Sequence, residues 1–109
     1  MLVLFDNGTP RTLARFLIGH HTVTEARSRG WAELENGDLL SEAEAAGFEV
    51  LVTTDKNIGY QQNLSGRKIA IVVLGKGRWS LIEPHVWQVV AAVNASRPGS
   101  YIEVDIPFE

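Results

Sequence analysis

The chain has no cysteine. That excludes a disulfide framework and thiolate metal sites, and it suits a reducing compartment. Also missing is any apolar run near the roughly 18 residues that a bilayer crossing needs, so no membrane partner is expected. The apolar opening, Met1 to Phe5, stops at Asp6, with no basic stretch before it and no small-residue cleavage pattern after it. It reads as a strand rather than a signal peptide, and a cytoplasmic protein is the expectation. Positive charge is scarce as well: ten Lys and Arg face 13 Asp and Glu. The net charge of −3 means the whole surface is not built to attract nucleic acid. Repeats, linkers and low-complexity tracts are absent. What is present, 45% hydrophobic and 21% charged residues in 109, makes one ordinary globular core, so residues 1–109 are read as a single domain that folds without staples.

Strands and helices alternate along it. Leu2 to Phe5 is a continuous apolar run closed by Asp6-Asn7-Gly8, as in a strand buried on both faces. Thr9 offers an N-cap and Pro10 a first helical residue for a helix carrying Leu13, Phe16 and Leu17 and ending at Gly19. A short strand at 21–24 and a polar helical turn at 25–29, stopped by Gly30, follow. Asn36 is placed to cap a helix bearing Leu39, Leu40, Ala43 and Ala46, with Gly47 as its left-handed terminator. Phe48 to Thr53 reads as a strand, 56–65 as a loop or loose helical turn, and Ile69 to Leu74 as another apolar strand. After the Gly75–Arg78 turn, Ser80 and Glu83 suggest a capping box for a helix with Ile82, Val86, Val89, Val90 and Val93 on one face. Tyr101 to Ile106 alternates like a half-exposed edge strand, blunted by Pro107 and open to homodimer pairing. The alternation predicts a three-layer α/β/α fold on a mostly parallel sheet of about five strands, with right-handed crossovers.

Ligands of open parallel sheets sit beyond the carboxyl ends of the strands. Asp6 and Asp55 each close an apolar strand there, and Asp38, in the first turn after Asn36, is able to approach the same edge. Mg²⁺ or Mn²⁺ takes oxygen ligands, and two or three carboxylates with water suffice. Each aspartate alone is also explained by an Asx turn, or for Asp38 by the helix macrodipole. It is the pair, Asp6 with Asp55, that points to chemistry.

The order of motifs is more specific. Leu4-Phe5-Asp6-Asn7-Gly8-Thr9-Pro10, then Gly30-Trp31 through Asn36-Gly37-Asp38-Leu39-Leu40, then Leu51-Val52-Thr53-Thr54-Asp55-Lys56-Asn57 and Tyr60-Gln61-Gln62-Asn63-Leu64 follow one another across residues 1–75. This resembles the compact PIN-like proteins, relatives of the VapC-type toxins. The resemblance implies an Mg²⁺- or Mn²⁺-dependent ribonuclease acting on RNA, often a toxin encoded beside a small antitoxin protein. Asp6 matches the family's first acid and Asp55 the acid of its T-x-D strand ending. Thr53 of that motif is implied to position a metal-bound water or the Asp55 carboxylate, with Asn7 and Lys56 in support. Two departures stand out. Many relatives have Asp where this chain has Asn36, so Asn36 or Asp38 would complete the ligand shell. Their separate helical Glu has only Glu25 as a weak counterpart.

Arg11, Arg15, Lys76 and Arg78 are candidates for holding RNA phosphates, and the Gly75–Arg78 turn beside Trp79 for touching a backbone and stacking a base. A solvated face is the plainer reading of each basic pair. Gln61, Gln62 and Asn63 are placed to line the same cleft or simply to cap a loop. His20 and His21 are adjacent, so they would point to opposite faces and not share an ion. Two rivals remain. One is a catalytically impaired PIN-like module that binds a partner protein, motivated by the neutral Asn36. The other is a phosphoacceptor receiver, which lacks its Ser or Thr after the fourth strand and its Lys after the fifth.

Overall fold

The computed structural model describes residues 1–61 and 64–107, with side chains throughout except those of Tyr60 and Gln61. Five strands, β1 (Leu2–Phe5), β2 (Thr22–Glu25), β3 (Val50–Thr53), β4 (Ala70–Leu74) and β5 (Tyr101–Val104), form one sheet in the order β2-β1-β3-β4-β5. Every pairing is parallel. The sequence dictates which strands lie inside. β3 and β4 are fully buried apolar runs apart from Thr53, as strands covered on both faces must be, whereas the polar β2 and the alternating β5 form the edges.

Because successive side chains point to opposite faces, each strand feeds two cores. Val3, Phe5, Val50, Val52, Ala70, Val72 and Leu74 join one of them. It is roofed by Leu13 and Leu17 and by Ile82, Val86, Val89 and Val93. Leu4, Leu51, Ile71 and Val73 join the other, under Leu39, Leu40, Ala43 and Ile58. The fold is therefore three-layer α/β/α, with each fully buried large apolar side chain contributing roughly 1.5–3 kcal/mol.

The helical layer departs from expectation in three places, each with a local cause. Residues Arg11–Phe16 wind as a tight 3-10 helix with Pro10 as its extended N-cap, because the Thr9 hydroxyl turns away to the sheet edge. Helix α1 (Asn36–Ala45) begins at Asn36, with Glu35 in the cap position and no side-chain cap bond, while Gly47 ends it at φ +90 as expected. The loose helical turn expected within 56–65 forms as the short helix α2 (Ile58–Gln61). Finally, no capping box forms at Ser80 and Glu83. Helix α3 (Trp79–Ile82) starts two residues earlier, with Arg78 rather than Ser80 in the cap position, and Pro84 helps to interrupt the run as a 3-10 turn before α4 (Val86–Ala95).

One crossover has an unexpected hand. The β2–β3 and β3–β4 connections step one way along the sheet under the face of α1 and α2, and β1–β2 steps back across the opposite face. Those three share a hand. The β4–β5 connection steps forward yet crosses the face of Arg11–Phe16, so its hand is opposite to theirs, whereas the usual rule gives every such crossover the same hand. That face has only six residues of 3-10 helix over the first half of the sheet, and α4 covers the apolar rows of β3 and β4 with Val89 and Val93.

A single carboxylate ties α1 to the β3–β4 connection. Glu44 accepts from Arg67 Nη1 at 2.8 Å and from the backbone N–H groups of Lys68 at 2.7 Å and Ile69 at 3.2 Å. Burial acts to raise its pKa, but the Ile69 and Lys68 N–H groups and the Arg67 guanidinium together outweigh that and hold the carboxyl below its ordinary value. A depressed folded-state pKa gives stability that is complete above the unfolded pKa and is lost as pH falls through the folded one. Glu44→Gln should therefore lower the unfolding free energy by about 1–2 kcal/mol near neutral pH. In urea titrations the gap to the wild type should close in acid; a gap that stays constant down to about pH 3 would contradict this assignment.

Candidate functional site

In a sheet of order 2-1-3-4-5 the strand order reverses between β1 and β3, and the crevice there is where such folds bind ligands. Asp6 and Asp55 stand on either side of it. Phe5 pairs with Val52, and the Asp6 N–H donates to the Val52 carbonyl at 3.1 Å, so Asp6 lies beside Thr53. The Thr53 side chain is fully buried, and its hydroxyl donates to Asp6 Oδ2. Thr53 Oγ1 in turn accepts the Asp55 N–H at 3.1 Å. One threonine thus links the two expected acids, which are 49 positions apart in the chain numbering but one short hydrogen-bonded path apart in space.

The remaining valences of each carboxylate are partly filled. Asp6 Oδ1 accepts the Gly8 N–H at 3.1 Å and lies 2.8 Å from Thr9 Oγ1, which is also 2.9 Å from the Val52 carbonyl. Asp55 Oδ1 accepts the Asn57 N–H at 2.9 Å, and Oδ2 accepts from Asn36 Nδ2 at 2.7 Å. Both acids therefore make Asx-type turns, and both keep acceptor capacity, because an ionised carboxylate offers about four lone-pair sites. An ionised Asp55 accepts only, so Asn36 presents its amide nitrogen there rather than its oxygen.

Asp38 does not complete a triad. It is exposed in the first turn of α1, and among the described residues no three acids or histidines come together in a way that could hold an ion. Asn36, not Asp38, is the α1 residue that reaches the pair. Glu25 does end β2 on the same edge, but it is engaged by Arg11 at 2.7 Å and Arg27 at 3.6 Å. That ion pair also occupies Arg11. Asn7 is structural here, its side-chain amide donating to the Ala32 carbonyl at 2.7 Å. Lys56 lies across Gly75, so close that a Cβ there would stand 3.2 Å from its Cε. The side chains of Gln61, Gln62 and Asn63 lie outside the described residues. His21 is accounted for by Asn94, 2.7 Å from its Nε2.

Glycines lock the edge loops together. A Cβ on Gly8 would meet Thr54 Oγ1 at 2.5 Å, and one on Gly77 would meet the Gly8 carbonyl at 3.1 Å. The loops after β1, β3 and β4 therefore interleave, and the Lys76–Arg78 turn abuts the loop that carries Asp6. Sequence patterning missed this contact; glycine at the middle of two strand-end loops was the available signal. The receiver reading finds no support, since Gly75 follows β4 and Asp105 follows β5. A cleft of about 540 Å³ opens at the opposite edge, among Met1, Phe48, Lys68, Ile69 and Arg97. Its two carboxylates, Glu44 and Glu49, are already satisfied by backbone N–H groups, so nothing reactive converges there.

Thr53→Val keeps the shape but removes the linking hydroxyl. It should cost roughly 1–3 kcal/mol, measured by urea denaturation, because the Asp55 N–H loses its acceptor and Asp6 a donor. An unchanged midpoint would mean that the link carries no weight. No protein-family profile, curated protein or solved structure matches this chain.

Proposed function

We propose that the protein is a metal-dependent endoribonuclease of the PIN-like class, working in the cytoplasm as the toxin of a toxin–antitoxin pair. The observation that supports it is the joining of Asp6 and Asp55 through Thr53 at the switch point of the sheet. The pairing with an antitoxin protein rests on the family resemblance.

The donor set suits a hard divalent cation. Mg²⁺ and Mn²⁺ favour one or two carboxylates plus water and phosphate oxygens over an all-protein cage. Asp6 and Asp55 would hold the ion, and the Asn36 amide is near enough to Asp55 to add an uncharged oxygen after turning over. Such an ion supplies positive charge for a phosphodiester and lowers the pKa of water. The protein's own part is orientation. Thr53 and the Gly8 and Asn57 N–H groups fix the two carboxylates before substrate arrives, so little reorganisation is left for the reaction. Arg15, Lys76, Arg78 and Lys56 supply cations around that edge for flanking phosphates, while Arg11 is committed to Glu25.

Purified protein with Mn²⁺ should cut RNA. Asp6→Asn or Asp55→Asn should each reduce the rate by roughly a hundredfold or more, the scale of losing one preorganised electrostatic contact. Equal cleavage by all three proteins would remove the mechanism.

A second reading is favoured by one observation: Asn36 is neutral and donates to Asp55, which leaves two acids where relatives gather more. On that reading the protein is a catalytically impaired PIN-like module that binds a partner. It predicts no cleavage and no Mn²⁺ binding at millimolar concentration, with a partner protein still captured.

A further inference from the structure

We propose that Trp87 and Phe16, flanked by Arg15 and Arg78, form a platform on which unpaired RNA bases stack beside the carboxylate edge. The inference rests on the ribonuclease reading for its ligand, but it concerns a different surface. Trp87 is 68% exposed, an unusual placement for so large an apolar ring on a chain whose other two tryptophans are half-buried. Its ring meets Phe16 edge-on, with centroids 5.6 Å apart at 88°. Phe16 in turn stacks on Trp79 at 5.8 Å and 30°. Trp79 and Phe16 thus support the exposed ring, which keeps a wide surface open to solvent.

The charge around it favours an anionic ligand with flat rings. Each of the two stacked aromatics is preceded in the chain by an arginine, Arg15 before Phe16 and Arg78 before Trp79, so their stacking brings two arginine-bearing segments together. Both arginines are exposed, and neither has an acidic partner among the described residues. Glu83, exposed on the turn between α3 and α4, is the nearby carboxylate in sequence and keeps the patch from being uniformly basic. Cationic groups that track a backbone beside aromatic faces that take bases are the ordinary composition of a single-strand surface. The patch also continues into the catalytic edge, because Arg78 belongs to the turn whose Gly77 lies against the Gly8 carbonyl. An RNA held on Trp87 would run toward Asp6.

The test is binding without cleavage. A labelled oligoadenylate of about twelve nucleotides is titrated in EDTA and followed by anisotropy, with wild type, Trp87→Ala, Trp87→Phe and the double variant Arg15→Gln/Arg78→Gln. Trp87→Ala should weaken binding roughly tenfold and Trp87→Phe by less, as expected for one stacked base. The arginine pair should lower the dependence of log affinity on log salt by roughly one to one and a half. Because Trp87 is so exposed, the variants should unfold at the wild-type midpoint. Equal affinity of wild type and Trp87→Ala, or no binding by either, overturns the platform. Trp87→Ala dissolving a dimer in sedimentation equilibrium, with RNA affinity unmoved, overturns it too and makes the patch a protein interface. RNA bound through Trp87 but never cut with Mn²⁺ keeps the platform and removes the nuclease. RNA cut with one KM by wild type and Trp87→Ala does the reverse.

Discussion

The parallel register between β1 and β3 is the constraint on which the site depends. Phe5 opposite Val52 leaves Asp6 beside Thr53, and only that alignment lets one buried hydroxyl serve the Asp6 carboxylate and the Asp55 N–H together. A slip of one residue would turn the apolar side chains of β1 to the wrong cores and carry Asp6 away from Thr53. Packing therefore fixes the chemistry: Val3, Leu4 and Phe5 are wholly buried on two faces, and their burial holds the register that places the acid after them.

The electrostatics of that edge are economical. Four carboxylates end strands or follow them there, Glu25, Asp6, Asp55 and Asp105, with Asp105 after the edge strand β5 and Glu25 neutralised by Arg11 and Arg27. At the switch point stand Asp6 and Asp55, whose partners are N–H groups, hydroxyls and one amide rather than cations. A bound divalent ion would meet carboxylates with acceptor capacity to spare. Arg15 and Arg78, which have no acidic partner among the described residues, lie outside this pair.

Much of this was legible because it depends on short-range pattern. Continuous apolar runs mark β1, β3 and β4 as buried strands and alternation marks β5 as an edge, and the acid after each of the first two is placed on the carboxyl edge by the sequence alone. Less legible were features in which a side chain chose between two uses. Thr9 and Asn36 both have N-cap chemistry, but tertiary contacts outweighed it: Thr9 turned to Val52 and Asp6, and Asn36 to Asp55. Ser80 and Glu83 fit a capping box by spacing, yet Pro84 helps to break the helix there. The hand of the β4–β5 crossover, the ion pair at Glu25 and the interleaved glycine loops all join residues distant in sequence, and no local period records them.

The most direct measurement is the anomalous scattering of crystals grown or soaked in Mn²⁺. The account predicts one manganese peak between the carboxylates of Asp6 and Asp55, bonded to an oxygen of each. Density for manganese elsewhere only, or for these two side chains still closed in their own turns at saturating Mn²⁺, would contradict it.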